Sequence, residues 1–176
     1  ESSYGHYMGT FPVIKSLATL AYDDRRAAFF RKELLYALRI LDNGDVTMDK
    51  FVGEWAGGSG QPQFLPSSWF RYAVDYDGDG KKDIWSSKPD VFASIANYLK
   101  LNGWQSYQPW YVEVEVPKQW RDIPEDEWHP VAYWLQQGVH VQVQYQLPSD
   151  DLAARLIKPY GGPYLLVFKN FDVIKR

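Results

Sequence analysis

Six residues in the middle of this 176-residue chain have the types and spacing to hold a cation. Asp75, Asp77, Asp79, Gly80, Lys81 and Asp83 fall at positions 1, 3, 5, 6, 7 and 9 of an EF-hand-type loop. Alternate carboxylates turn inward, glycine takes the sharp bend, and Lys81 offers its backbone carbonyl. Such an all-oxygen cage suits a hard ion, so Ca2+ in a structural role is the expected cofactor, with no organic one. A plain solvated turn is the rival reading, because Asp and Gly favour turns anyway. Position 12, ordinarily a bidentate Glu, is Ser86, which leaves the last ligand to water or to a neighbour such as Asp90. With one loop and no second hand to pair with it, the expected task is bracing rather than signalling.

Just upstream lies a glycine-rich, aromatic stretch, GEWAGGSGQPQF. Gly57, Gly58 and Gly60 permit positive φ and close approach of backbone to a ligand. Gln61 or Gln63 could then hydrogen-bond a hydroxyl or acetamido group, with Trp55 and Phe64 framing the site. The alternative is a tight connection between helices, with Gln63 satisfied by backbone. No Gly-Lys-Ser/Thr follows, so this is not a phosphate-binding loop. Ser59 reads as packing, since no histidine is near it in sequence. His6, His129 and His140 show no metal-ligand spacing.

The elements that must position these loops follow from the rest of the chain. Apolar residues make up 45%, which is enough for a real core and argues against disorder. Eight Trp and thirteen Tyr could face sugars, yet rings of this kind more often fill cores. A net charge of −3 and no basic block exclude a nucleic-acid face. No apolar run reaches the length of a membrane span, and with no cysteine there is no disulfide framework.

Pro12 is expected in the first turn of a helix over IKSLATLAY. Asp23 or Asp24 then caps a second helix with Ala27, Phe30, Leu34, Leu38 and Leu41 on one face, ended by Asn43 and Gly44. A short helix opens at Pro66, and another opens at Lys88 and runs through VFASIANYLKL to Asn102-Gly103. After Trp104 the texture alternates: strands are expected over 111–116, 139–145 and 164–168, with a short helix within 125–137. The expected fold is α+β: a mainly helical core over 1–104 that includes the acidic loop, and a small mixed portion over 105–176.

Taken in order, ESSYGHYMGTFPVIKSLATLAYDDRRAAFFRKEL, GEWAGGSGQPQFLPSSWFRYAVDYDGDGKKDIW and PDVFASIANYLKLNGW resemble the lytic murein transglycosylase B family. The likeness covers residues 1–104 and resumes more loosely at DLAARL and GGPYLLVFKNFDVI. It implies a lysozyme-like helical fold and a bacterial enzyme of the periplasmic cell envelope. An outer-membrane lipoprotein is one implied full-length form. The implied substrate is the glycan strand of peptidoglycan, cut at the MurNAc-β-1,4-GlcNAc bond to leave 1,6-anhydro-MurNAc ends. Other implied partners are proteins of wall synthesis or remodelling, and the chain is expected to be a monomer.

By the same resemblance Glu1, in Glu1-Ser2-Ser3-Tyr4-Gly5, matches the family's catalytic acid/base. Tyr4 lies in that segment and joins the expected substrate contacts. Gln63 matches the glutamine of the family's G-x-x-Q-F segment, and some members bind a metal at the loop matching 75–83. A terminal ammonium beside Glu1 would favour its ionised form, which opposes a general acid. The family also usually carries an aromatic-Asn segment and a final helix after the residue matching Arg176, so further residues are expected beyond both ends of the chain. Glu54 stands where the family commonly has a small residue, and Gly58-Ser59 replaces an Ala-Met pair. Glu54 reads first as a solvated loop charge, and alternatively as a second cleft carboxylate. The competing functions are a muramidase-like hydrolase and a non-catalytic glycan- or calcium-binding module.

Overall fold

A computed structural model describes residues 2–23, 25–118, 120, 127–142, 146, 147 and 149–175. Glu1, the proposed cap Asp24, Glu125 and the strand residues 143–145 lie outside the described residues. The chain divides into two compact units, Glu1–Leu101 and Asn102–Arg176, at the end of a helix.

In the first unit a two-residue strand β1 (Phe11–Pro12) leads directly into α1 (Val13–Asp23). Pro12 therefore precedes the helix rather than sitting in its first turn. The Val13 amide explains the shift: it donates to the Phe51 carbonyl at 3.1 Å, and β1 pairs antiparallel with β2 (Val52–Gly53). Helix α2 (Ala27–Asp42) is capped by Arg26 with no side-chain bond, not by the aspartates expected there. Its buried stripe is Phe30, Glu33, Ala37 and Ile40, which turns the expected face by about a quarter turn: Leu38 is exposed.

Glu33, a charged residue of α2, is buried. Its carboxylate accepts the Ser67 amide at 2.9 Å, in the first turn of α3 (Pro66–Tyr72). A carboxylate facing the free amides of a helix start is a favourable, charge-assisted contact. Helix α4 (Lys88–Leu101) is tied back by the Ser94 hydroxyl, which accepts the Val74 amide, and by Asn97, which donates to the Tyr72 carbonyl. Val13, Leu17, Phe30, Ile40, Phe51, Trp69 and Ile84 form the core beneath these elements.

The second unit is a five-stranded antiparallel sheet in the order β4-β6-β7-β3-β5. Its strands are β3 (Tyr111–Glu115), β4 (His129–Pro130), β5 (His140–Val141), β6 (Ala153–Ile157) and β7 (Tyr164–Val167). Val112, Leu156 and Leu166 lie in register, all buried, and pack with Val131 and Trp134 of α5 (Val131–Gln136). The Trp134 ring nitrogen donates to the Ala154 carbonyl at 3.0 Å. Strand β6 was not expected, because Ala153-Ala154 carries little apolar contrast between its two faces. A last helix, α6 (Lys169–Ile174), contains the buried Asn170, which clasps the backbone of Gln105 and Gln108. The fold is mixed α+β, and no helix among the described residues is long and apolar enough to cross a membrane.

Candidate functional site

The glycine-rich segment folds as a small hairpin. Ser59 pairs with both Gly53 and Phe64, and the Ser59 and Phe64 amides exchange bonds with each other's carbonyls at 3.0 Å. Gln63 sits in the turn with φ +54°, a left-handed conformation that costs a non-glycine residue roughly 1 kcal/mol. Its amide side chain holds the strain in place. Nε2 donates to the carbonyls of Gly60 at 2.7 Å and Met8 at 3.1 Å. With both N–H groups so directed, the amide cannot flip without facing oxygen to oxygen. Oε1 is left buried and accepts no hydrogen bond among the described residues. An orphaned acceptor on a strained residue is the kind of feature that ligand sites retain. Gln63 also lines a pocket of about 400 Å³ with Glu54, Ala56, Gly58 and Leu65.

Gln61 has a different task. Its amide and side chain donate to the carbonyls of Ile84 at 2.9 Å and Trp85 at 3.2 Å, and its carbonyl accepts the Ser2 hydroxyl at 2.7 Å. Ser2 is buried, and its oxygen also accepts the Gly5 amide. The next three residues, Ser3, Tyr4 and Gly5, all have positive φ. Together they form one wall of a cleft of about 820 Å³, with Gln61 in its lining and Lys88, Phe92 and Ile95 of α4 also bordering it. The rings of Tyr4 and Phe92 are exposed. Glu1, one residue before Ser2, lies outside the described residues.

Two of the expected substrate contacts lie beneath the surface of the loop. Phe64 is buried, packed with Tyr72 and Tyr98 in a three-ring cluster at centroid separations of 4.9 to 5.9 Å. Gly57 is buried too, and a Cβ there would come within 2.6 Å of the Leu17 side chain. Both residues shape the loop from beneath. Trp55 is exposed and stays available to a ligand, and Ser59 is buried within the hairpin.

The acidic loop is wound on its own amides. Asp75 accepts the amides of Gly78 and Gly80, Asp77 that of Asp79, and Asp79 that of Lys81. The carboxylates that converge are Asp75, Asp77 and Asp90, with ligand atoms within 4.8 Å of one another. That differs from the expected set of Asp75, Asp77, Asp79, Lys81 and Asp83. Asp83 turns away to the amides of Trp85 and Ser86 and the Ser86 hydroxyl. Burial alone would raise its pKa, but these bonds, aided by Lys50, hold the carboxyl below its ordinary 3.8. Asp90 entered the sequence reading only as a substitute ligand. The signal was its place in the first turn of α4, where a buried acid can reach back to the loop.

A helical unit carrying this loop pair, joined to an antiparallel sheet unit, defines a lysozyme-like lytic transglycosylase fold. The Transglycosylase SLT domain family profile matches residues 1–176, and the chain belongs to that family. Membrane-bound lytic murein transglycosylase B of Escherichia coli K12 is 40% identical over 106 residues, 59% of this chain and 29% of its own. SltB3 from Pseudomonas aeruginosa, solved in complex with NAG-NAM-pentapeptide, superposes with a TM-score of 0.90 at 47% identity. The match covers 99% of this chain and 48% of that one. The Escherichia coli lytic transglycosylase Slt35 in complex with calcium gives a TM-score of 0.83 at 29% identity, over 98% and 55%. The chain thus spans between about three-tenths and just over half of the length of these relatives.

Proposed function

We propose that this chain carries catalytic machinery of a peptidoglycan lytic transglycosylase, cutting the MurNAc-β-1,4-GlcNAc bond and leaving a 1,6-anhydro-MurNAc end. The observation that carries the reading is the Ser2 bond to Gln61, which ties the residue after Glu1 to the glutamine loop beside one cleft. Support also comes from SltB3, solved with NAG-NAM-pentapeptide and with NAG-anhNAM-pentapeptide. Glu1, in its protonated form, gives its proton to the departing glycosidic oxygen as the C1–O bond breaks. The 2-acetamido group of the same sugar steadies the oxocarbenium-like centre. The C6 hydroxyl oxygen then bonds to C1 and returns its proton to the Glu1 carboxylate, so one residue acts first as acid and then as base. No water is consumed. Gln63 meets the strand, Gln61 braces the loop beside it, and Tyr4 and Trp55 offer ring faces to the sugars.

Calcium belongs to the same reading. Three carboxylates at this spacing, one of them buried, form a hard-oxygen donor set that fits a divalent cation. Asp75, Asp77 and Asp90 would hold it, and bound calcium supplies charge neutralisation that steadies the turn between α3 and α4. The setting is the bacterial cell envelope, on its periplasmic side, with the chain acting as a monomer beside other wall-remodelling proteins.

The deciding experiment is mass spectrometry of muropeptides released from sacculi by the protein and by Glu1→Gln, in full-length context. Anhydro ends from the first and none from the second are expected. Reducing ends, or equal release by both, would overturn the proposal.

A further inference from the structure

Asp83 stands outside the trio of converging carboxylates, and its side-chain bonds run the other way, towards the cleft. Its amide donates to Asp90, a member of the trio, at 2.9 Å. Its carboxylate accepts the amides of Trp85 at 2.9 Å and Ser86 at 2.8 Å, together with the Ser86 hydroxyl. The turn so fixed is the one on which Gln61 rests: the Ile84 carbonyl takes the Gln61 amide at 2.9 Å, and the Trp85 carbonyl takes Nε2 at 3.2 Å. From Gln61 the contact continues to segment 2–5 in two ways. The Gln61 carbonyl accepts the Ser2 hydroxyl at 2.7 Å, and Gly5 lies so close that a Cβ on it would stand 2.7 Å from the Gln61 side-chain carbon Cδ. The series is well packed. Asp90 and Ile84 are fully buried, Ser2 and Trp85 nearly so, and the Trp85 ring stands edge-on to Phe51 at 5.7 Å.

We propose that Asp83 is a positioning residue for the cleft, a role that rests on the peptidoglycan and calcium readings. It transmits the state of the acidic loop, through the 84–86 turn and Gln61, to the segment that follows Glu1. Three carboxylates gathered at one point repel one another until a cation neutralises them, and Asp90 is the one that also holds the Asp83 amide. A shift of Asp90 is therefore handed to Asp83, whose carboxylate carries it to the ledge beneath Gln61. Close-packed interiors pass such shifts on, because their side chains have little free volume in which to absorb them. Coupling of this kind is reciprocal: calcium and glycan each raise the affinity of the other by the same factor. A carboxylate that only steadied the turn would lower stability when removed, yet it would give rise to no such factor.

The test is calorimetric titration of the intact chain with calcium, without and with saturating NAG-NAM-pentapeptide, the fragment with which SltB3 was solved. The reverse titration adds the fragment in chelator and in saturating calcium. Wild type should show the same gain in both directions, about fivefold or more. Asp83→Ala should abolish the gain, although calcium alone still binds through Asp75, Asp77 and Asp90. Asp79→Asn removes a charge from the same loop without touching the 84–86 turn, and should keep the gain. Should Asp83→Ala fail to fold, Asp83→Asn takes its place: a neutral acceptor holds the amides more weakly, so the gain should fall below that of wild type. Independent binding of calcium and fragment by wild type, or failure to bind either ligand, overturns the proposal. So does a gain that substitution of Asp83 leaves unchanged, or that Asp79→Asn removes equally. Those results leave the transglycosylase reading intact if sacculi still yield anhydro ends. Coupled binding without any cleavage would instead overturn that reading and leave the role of Asp83 standing.

Discussion

The Asp90 carboxylate accepts the Asp83 amide at 2.9 Å through one oxygen, while its other oxygen takes the amides of Tyr76 at 2.8 Å and Asp77 at 3.4 Å. A fully buried acid in the first turn of α4 thereby holds both ends of the acidic loop. Asp90→Ala leaves three backbone donors without their acceptor and should cost about 2–4 kcal/mol, read as a lower urea midpoint with unchanged slope. Asp90→Asn keeps one acceptor and should cost less. A loss below about 0.5 kcal/mol for the alanine variant would show that the loop does not depend on this anchor.

Asp83 gives the loop a pH signature, to be read in the presence of chelator. Its folded-state carboxyl lies below 3.8, so as pH falls the unfolded chain takes up that proton first. The stabilisation is complete above the unfolded value and disappears as pH falls through the lower, folded one. Asp83→Asn should therefore be less stable than wild type at neutral pH, with the gap closing below pH 3.8. A gap that stays constant into acid would assign the effect to packing rather than charge.

Calcium should raise the melting temperature, and chelation should reverse the rise. At a concentration one hundred times its Kd, an ion that binds only the folded state adds about 2.7 kcal/mol. Asp77→Asn removes one carboxylate of the converging trio and should weaken calcium severalfold. Asp79→Asn lies outside that trio and should matter less. The reverse order would restore the ligand set expected from spacing alone.

Glu54 allows a sharp test of reaction type. A hydrolase needs two carboxylates about the scissile bond, whereas the proposed mechanism needs one. Glu54→Ser should still release only anhydro-ended muropeptides. A change in the balance of anhydro and reducing ends on that substitution would make Glu54 part of the bond-breaking chemistry.

Much of the fold was legible because local signals and tertiary packing agree. Asn43 and Gly44 end α2, Pro66 opens α3, and the alternation of β3 lies buried at Val112 and Val114. What escaped depended on partners far along the chain. Glu33 reads as a surface charge until its spacing from Phe30, Ala37 and Ile40 is counted, and its burial makes sense only beside the start of α3, 34 residues on. Phe64 looked like a sugar platform because an aromatic in a glycine loop does not reveal which way its ring faces. Gln63 and Gln61 were singled out together, yet only geometry separates the one with an orphaned oxygen from the one that braces the loop.

The hydroxyl of Ser2 bridges 59 positions of chain to reach the carbonyl of Gln61, which itself leans on Ile84 and Trp85. Three stretches remote in sequence therefore behave as a single mechanical part. Anyone grafting this cleft onto another scaffold would have to move residues 2–9, 53–64 and 84–85 as one block. Transplanting the glutamine loop alone would carry Gln61 and Gln63 without the hinge pin that keeps them aligned.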